Sequence, residues 1–91
     1  MTVETAEARL KRMKMRSWRR GTKEMDLVLG PWADAHLADL SPERLDLYDR
    51  LLTENDQDLM AWILGTAPAP GHLAGFLDEI SAYARDRLRR E

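Results

Sequence analysis

Apolar residues recur every three to four positions along most of this chain, which is the spacing of an amphipathic helix. No segment alternates apolar and polar residues, as a strand does, for more than a few positions. The apolar repeats fall into five segments, which begin near Thr5, Lys23, Ser41, Asp56 and His72. The pattern therefore predicts an all-α fold of five helices.

The first predicted helix runs from about Thr5 to Trp18 and has an imperfect apolar face. That face consists of Leu10, Met13, Met15 and Trp18. Gly21 suits the boundary after this helix, and Thr22 can cap a second helix that starts at Lys23. Pro31 lies inside the second helix and removes a backbone donor, so a single kinked helix is predicted there.

The later helices have clearer boundary signals. Ser41 and Pro42 are typical of a helix start, with serine as the cap and proline in the first turn. Asp56 is expected to cap the fourth helix and Gly65 to end it. A rigid Ala-Pro-Ala-Pro connector over residues 67–70 then leads to the last helix. Trp32 and Trp62 fall on apolar faces and are predicted to lie in the core.

The length of 91 residues favours a single domain over residues 1–91, with residues 1–4 and 90–91 expected to fray. The chain has no cysteine, which excludes disulfides and cysteine–zinc sites. It has no apolar run long enough for a transmembrane helix and no secretory signal pattern, so we expect a cytoplasmic location and no membrane insertion. Its two histidines and its serines form no metal-binding or catalytic motif, which predicts that the protein is not an enzyme.

The charges are strongly segregated although the net charge is only -2. Eight bases and no acid lie between Arg9 and Lys23, whereas residues 24–79 hold twelve acids and two bases. The basic first helix leaves an alternative open, a small nucleic-acid-binding protein that uses this charge on phosphates. A membrane-surface helix is less well supported, because the apolar face is broken.

The most informative segment is Arg19-Arg20-Gly21-Thr22-Lys23-Glu24, at the boundary between the basic segment and the acidic body. Two guanidiniums, a flexible glycine and a carboxylate at a helix junction are typical of a docking surface. Alone, Arg-Gly-x-x-Glu is a short and common pattern. Here it is followed in order by residues 47–52 (Leu-Tyr-Asp-Arg-Leu-Leu), residues 55–62 (Asn-Asp-Gln-Asp-Leu-Met-Ala-Trp) and the proline connector.

This ordered set of segments, from about Arg9 to Arg89, resembles the small succinate dehydrogenase assembly factor family, which includes the bacterial flavinylation factor and its mitochondrial relatives. The resemblance implies a compact five-helix bundle that binds the flavoprotein subunit of succinate dehydrogenase, and in some bacteria that of fumarate reductase. It implies help with covalent attachment of FAD to that subunit. The FAD belongs to the partner, and no cofactor is expected to be bound stably here.

The family's signature arginine, glycine and glutamate correspond to Arg20, Gly21 and Glu24, and Arg19 and Asp26 match frequent flanking residues. We expect the partner-binding residues to be Trp18, Arg19, Arg20, Gly21, Lys23, Glu24 and Asp26. Arg20 is expected to pair with polar or acidic partner groups, and Gly21 to allow close backbone approach. Glu24 is expected either to accept from a partner donor or to orient Arg20. Trp18 suits either the core or an exposed anchor.

Overall fold

A computed structural model of the chain describes residues 4–90, with side chains described for residues 4–87. The helices are α1 (Ala6–Trp18), α2 (Lys23–His36), α3 (Pro42–Leu51), α4 (Asp56–Leu64) and α5 (Gly71–Arg90), with a 3-10 turn (Leu37–Asp39) after α2. No strand occurs within this described range, so the predicted all-α fold of five helices is confirmed. Of the residues expected to fray, 1–3 and 91 lie outside the described residues.

The helices start and end largely where local signals predict. Thr22 accepts a hydrogen bond from the Met25 N–H, and Ser41 accepts one from the Arg44 N–H. Gly65 ends α4 in a left-handed conformation (φ 79°), which a glycine adopts without the steric cost of a side chain. These contacts satisfy backbone groups that a helix end leaves without partners.

One boundary prediction was wrong. The cap of α4 is Asn55, not Asp56, because the Asn55 side chain accepts from the Asp58 N–H at 3.1 Å. Helix α5 begins at Gly71, in agreement with the predicted start near His72. Across Pro31, α2 continues as one helix, as expected.

The core lies where α2, α3, α4 and α5 converge, with Met13 of α1 packed against it. Trp32 is buried with its ring about 5 Å from those of Tyr48 and Phe76, which confirms its predicted position. Trp62 is only partly buried and packs against the outside of the same cluster. The apolar faces of the helices therefore close over one shared core.

The buried face of α1 differs from the predicted one. Met15 is 45% exposed, whereas Ser17 is fully buried. The Ser17 hydroxyl donates to the Met13 carbonyl at 2.8 Å and lies 2.6 Å from the Tyr48 hydroxyl. Ser17 thus gives the buried Tyr48 hydroxyl a polar partner, and burial raises the pKa of Tyr48 to about 12.

Of the two histidines, one packs against aromatic rings and the other is exposed. His36 stacks on Trp32 and meets the edge of the Tyr83 ring, both at ring separations near 5 Å. His72 is exposed near the start of α5. Among the residues whose side chains are described, no group of three or more histidine or carboxylate residues is arranged to hold a metal ion. Within the described residues no helix is both long and apolar enough to cross a membrane.

Candidate functional site at the junction of α1 and α2

The chain reverses between α1 and α2 over residues 19–22. Gly21 has a φ of 101°, a conformation that residues with a side chain rarely adopt. A Cβ added there would come no closer than 3.9 Å to an Asp56 carboxylate oxygen, so the requirement for glycine is conformational and not steric. Asp26, in the first turn of α2, accepts from the Arg20 N–H at 2.7 Å and fixes the turn from the other side.

The Arg20 side chain points into the protein, where only 7% of it is exposed. Its Nε donates to the Asp56 carboxylate at 2.8 Å. Its two terminal nitrogens donate to the backbone carbonyls of Leu52 and Glu54, at 2.6 and 2.7 Å. The planar guanidinium therefore joins the junction to the α3–α4 connection, and all three of its nitrogens are bonded internally.

This inward direction has a physical cause. Leu52 and Glu54 follow the end of α3, where carbonyls lack helical partners and need donors from elsewhere. A buried guanidinium also needs a carboxylate beside it, which Asp56 provides. The structure therefore assigns Arg20 to holding the junction in place, while direct pairing of Arg20 with a partner protein stays a prediction.

The other predicted site residues lie at the surface around this fixed turn. Arg19, Lys23 and Glu24 are exposed, and Asp26, which accepts from the Arg20 N–H, is half-buried. The junction thus presents two cations and one carboxylate on a backbone that Arg20 and Asp26 hold in one shape. Such preorganised charge favours binding because less conformational freedom is lost on association.

Trp18 lies between the two roles considered for it, and its contact with a partner stays a prediction. Its indole lies flat against α2 at Gly30, where an added Cβ would come within 2.3 Å of the ring. The indole N–H donates to the Asp34 carboxylate at 3.2 Å, yet 39% of the residue remains exposed. Trp18 is therefore packed on one face and available to a partner on the other.

A groove lies beside the junction, between the first turn of α2 and α4, with a volume of about 440 Å³. Its floor is apolar, and Leu64 at its edge is 68% exposed, the most exposed large apolar side chain in the described part of the chain. Glu24 and Asp56 form an acidic rim of the groove, and Gln57 also lines it. Sequence reasoning missed both this groove and the Arg20–Asp56 pair, because nothing local links residues 36 positions apart.

Two arginines of the basic segment form partly exposed ion pairs with carboxylates of the same chain. Arg9 pairs with Asp46 and Asp49, and Arg12 pairs with Glu4 and Asp49 at 2.7 and 2.9 Å. The Arg12 hydrogen bond holds the pKa of Asp49 below its usual range and lowers the pKa of Glu4 in the same way. Two of the guanidiniums that support a nucleic-acid interpretation are thus already occupied by carboxylates.

Comparison with known proteins places this sequence in a family. The sequence profile of the family described as "Flavinator of succinate dehydrogenase" matches residues 11–84, most of the chain. The chain is 44% identical over 61 residues to succinate dehydrogenase assembly factor 2, mitochondrial, of Meyerozyma guilliermondii. That match covers 67% of this chain and 45% of the relative.

Two further relatives carry the same name. The protein of Schizosaccharomyces pombe is 35% identical over 88 residues, which cover 94% of this chain and 63% of the relative. The protein of Aspergillus terreus is 43% identical over 60 residues, which cover 66% of this chain and 20% of the relative. The chain thus spans between a fifth and two thirds of the length of these relatives. Their names place those proteins in mitochondria, and the cytoplasmic location expected for this chain stays a prediction.

The match extends from within α1 into α5 and includes the whole junction described above, with Arg20, Gly21 and Glu24 inside it. By the extent of this match and the sequence identity to these relatives, the chain belongs to the succinate dehydrogenase flavinator family.

Proposed function

We propose that this protein binds the flavoprotein subunit of succinate dehydrogenase and promotes covalent attachment of FAD to it. Membership of the flavinator family and the names of the relatives support this role. The structural observation that supports it most is the set of internal hydrogen bonds of the Arg20 side chain, which fix the turn at Gly21. The exposed charges beside this fixed turn are those of Arg19, Lys23 and Glu24. A fixed charged turn of this kind is suited to gripping another protein.

Covalent attachment of FAD does not require a nucleophile from the assembly factor, which acts here as a helper protein. Covalent flavinylation joins a histidine of the partner to the flavin ring, and the rate depends on how often the two meet in reactive geometry. Correct orientation alone lowers a barrier by up to about 7–11 kcal/mol in favourable systems. A helper that binds the reactive conformation of the flavoprotein more tightly than other conformations increases its population by that difference in affinity.

Individual residues of the junction then have distinct roles. Glu24 accepts from a donor on the flavoprotein, since Arg20 is held by Asp56 and the two loop carbonyls and not by Glu24. Gly21 keeps the exposed turn narrow, so that the partner approaches the backbone closely. Trp18 contributes its exposed edge as an apolar contact next to Arg19.

The test is reconstitution of flavinylation with purified apo flavoprotein subunit, FAD and this chain, read as flavin fluorescence of the denatured subunit in a gel. We expect the chain to increase the yield of covalent flavin, and Glu24→Gln to reduce that increase without lowering helix content. The fumarate reductase flavoprotein is a second substrate for the same assay. Equal yields with and without the chain would contradict the proposed function.

Nucleic-acid binding is the other class of function to test. Titration with duplex and single-stranded nucleic acid at moderate salt is expected to show no specific complex, because the Arg9 and Arg12 guanidiniums are already paired with carboxylates. A tight, salt-sensitive complex would favour that alternative over the assembly role.

A further inference from the structure

The groove between α2 and α4 has the features of a second contact surface. Met60 and Leu64 follow one another at a spacing of four on α4, and both line the groove beside Met25 of α2. Leu64 leaves 68% of its surface in water, although the helix has buried positions for leucine elsewhere. An apolar side chain exposed at the edge of an apolar groove is typical of a binding site for another protein.

Both charged residues that line the groove are acidic. The Glu24 and Asp56 carboxylates lie on the rim, and no lysine or arginine lines the groove among the described residues. Arg20 donates through its Nε to the Oδ1 oxygen of Asp56, which leaves the Oδ2 oxygen for a second donor. An occupant with a cationic group beside its apolar side chain fits this rim, and an acidic occupant is repelled by it.

The geometry points to a segment of the flavoprotein that carries a large apolar side chain next to a lysine or arginine, with the apolar group on Leu64 and Met60 and the cation between Glu24 and Asp56. This inference rests on the proposed function and adds the chemistry of the segment recognised. The groove is continuous with the junction, because Thr22 and Glu24 belong to both. One bound partner therefore covers the fixed turn and the groove together.

Gln57 allows a test of the charge at a single position. It is exposed in the first turn of α4, next to Asp56 in the sequence, and lines the groove. We expect Gln57→Glu to tighten binding of the apo flavoprotein, and Gln57→Lys to weaken it, each by about two- to fivefold at low salt. Both changes are expected to shrink as ionic strength rises to about 0.15 M, because added salt screens the exposed charges.

Matched controls use Ala35, which is exposed on α2 ten residues beyond the groove residue Met25. Ala35→Glu and Ala35→Lys make the same changes in net charge at a distant site, and neither is expected to alter affinity by more than about twofold. Thermal melts of all four variants verify that they are folded. Equal effects at positions 57 and 35 would show that only net charge matters and would overturn the inference.

Leu64 tests the apolar part. Leu64→Ser is expected to weaken the complex by about tenfold or more while leaving the melting temperature nearly unchanged, because the side chain is exposed in the free protein. Leu27→Ser is the control, since Leu27 is 49% exposed and does not line this groove. If the wild-type chain forms the complex and Leu64→Ser binds equally well, the groove inference fails alone. If the wild-type chain forms no complex, the proposed function fails with it.

Cross-linking identifies the occupant directly. The photoreactive residue p-benzoyl-phenylalanine replaces Leu64 in the full chain, which is irradiated with the apo flavoprotein and analysed by mass spectrometry. A cross-linked flavoprotein peptide with a lysine or arginine within a few residues of a large apolar residue supports the inference. An acidic peptide, a second copy of this chain, or no cross-link would overturn it.

Discussion

Removal of the Arg20 guanidinium is the sharpest test of the junction. Arg20→Ala leaves the Asp56 carboxylate and the carbonyls of Leu52 and Glu54 without their donors. A hydrogen bond to a charged group contributes about 1.5–3 kcal/mol, and breaking a buried ion pair costs about 3–5 kcal/mol. Because Asp56 is 21% exposed and regains some hydration, we expect a loss near the lower end, about 3 kcal/mol.

That loss is large for a chain of this length. Domains of 91 residues have unfolding free energies of about 5–14 kcal/mol, and each kcal/mol shifts the melting temperature by about 4–8 °C. Arg20→Ala is therefore expected to remain folded at room temperature and to melt about 12–24 °C lower. The melting temperature of Arg20→Lys is expected to lie between those of the wild-type chain and Arg20→Ala, because one ammonium group cannot reach three acceptors placed around a planar guanidinium.

The measurement is thermal and urea unfolding followed by circular dichroism, with Arg19→Ala as the matched control. Arg19 is the neighbouring arginine and is exposed, so its removal is expected to change the unfolding free energy by no more than about 0.5 kcal/mol. If Arg20→Ala proves as stable as Arg19→Ala, the guanidinium does not hold the junction and the assignment of Arg20 is wrong.

Four further predictions test other parts of the structure. Replacement of Gly21 by L-alanine is expected to cost about 1–2 kcal/mol in urea unfolding and replacement by D-alanine little, because the positive φ suits the D-residue; equal losses would argue against a conformational requirement. Gly30→Ala is expected to destabilise the protein by about 1–3 kcal/mol because the new methyl group displaces the Trp18 indole, whereas a helical glycine without such a contact is stabilised by the same substitution. The displacement is expected to change the tryptophan fluorescence, and this change should be absent when Gly30→Ala is made in Trp18→Ala. Hydrogen bonds from guanidiniums of α1 lower the pKa of Asp49, so their contribution to stability is present above the ordinary pKa of an aspartate and is lost as the pH falls through the lowered pKa. In Asp49→Asn the urea concentration at the unfolding midpoint should therefore depend less on pH between neutral and acid conditions. Burial raises the pKa of Tyr48 to about 12, so the contribution of its protonated hydroxyl to stability is present below the ordinary pKa of 10.0 and is lost as the pH rises from 10.0 to about 12. The same loss of unfolding free energy at alkaline pH in Tyr48→Phe would contradict this.

Local signals in the sequence predict most of the fold. Thr22, Ser41 and Gly65 mark helix ends because their side chains, or the lack of one, act on the nearest backbone groups. The same reasoning wrongly chose Asp56 instead of Asn55 as the cap of α4, since both residue types cap well and the backbone conformation decides. Only the structure shows that Asn55 has the extended backbone of a cap.

Contacts between distant segments could not be predicted in this way. Periodicity placed Met15 on the buried face of α1, but Ser17 is buried there because the Tyr48 hydroxyl needs a polar partner in the core. The motif predicted a surface cluster of charges, and Arg19, Lys23 and Glu24 are indeed exposed at the junction, while their binding to a partner stays a prediction. The inward direction of Arg20 depends on carbonyls and a carboxylate supplied by residues 52–56, which no local pattern identifies.

The account depends most on the exposed carboxylate of a rigid junction acting on another protein. Its most direct test is the initial rate of covalent flavin formation on apo flavoprotein, with the helper below saturation and each variant shown to be folded. We predict that the wild-type chain and Ala35→Lys, which changes the net charge as Glu24→Gln does, accelerate the reaction equally and that Glu24→Gln loses most of the acceleration. Identical rates for the wild-type chain and Glu24→Gln would contradict the central claim.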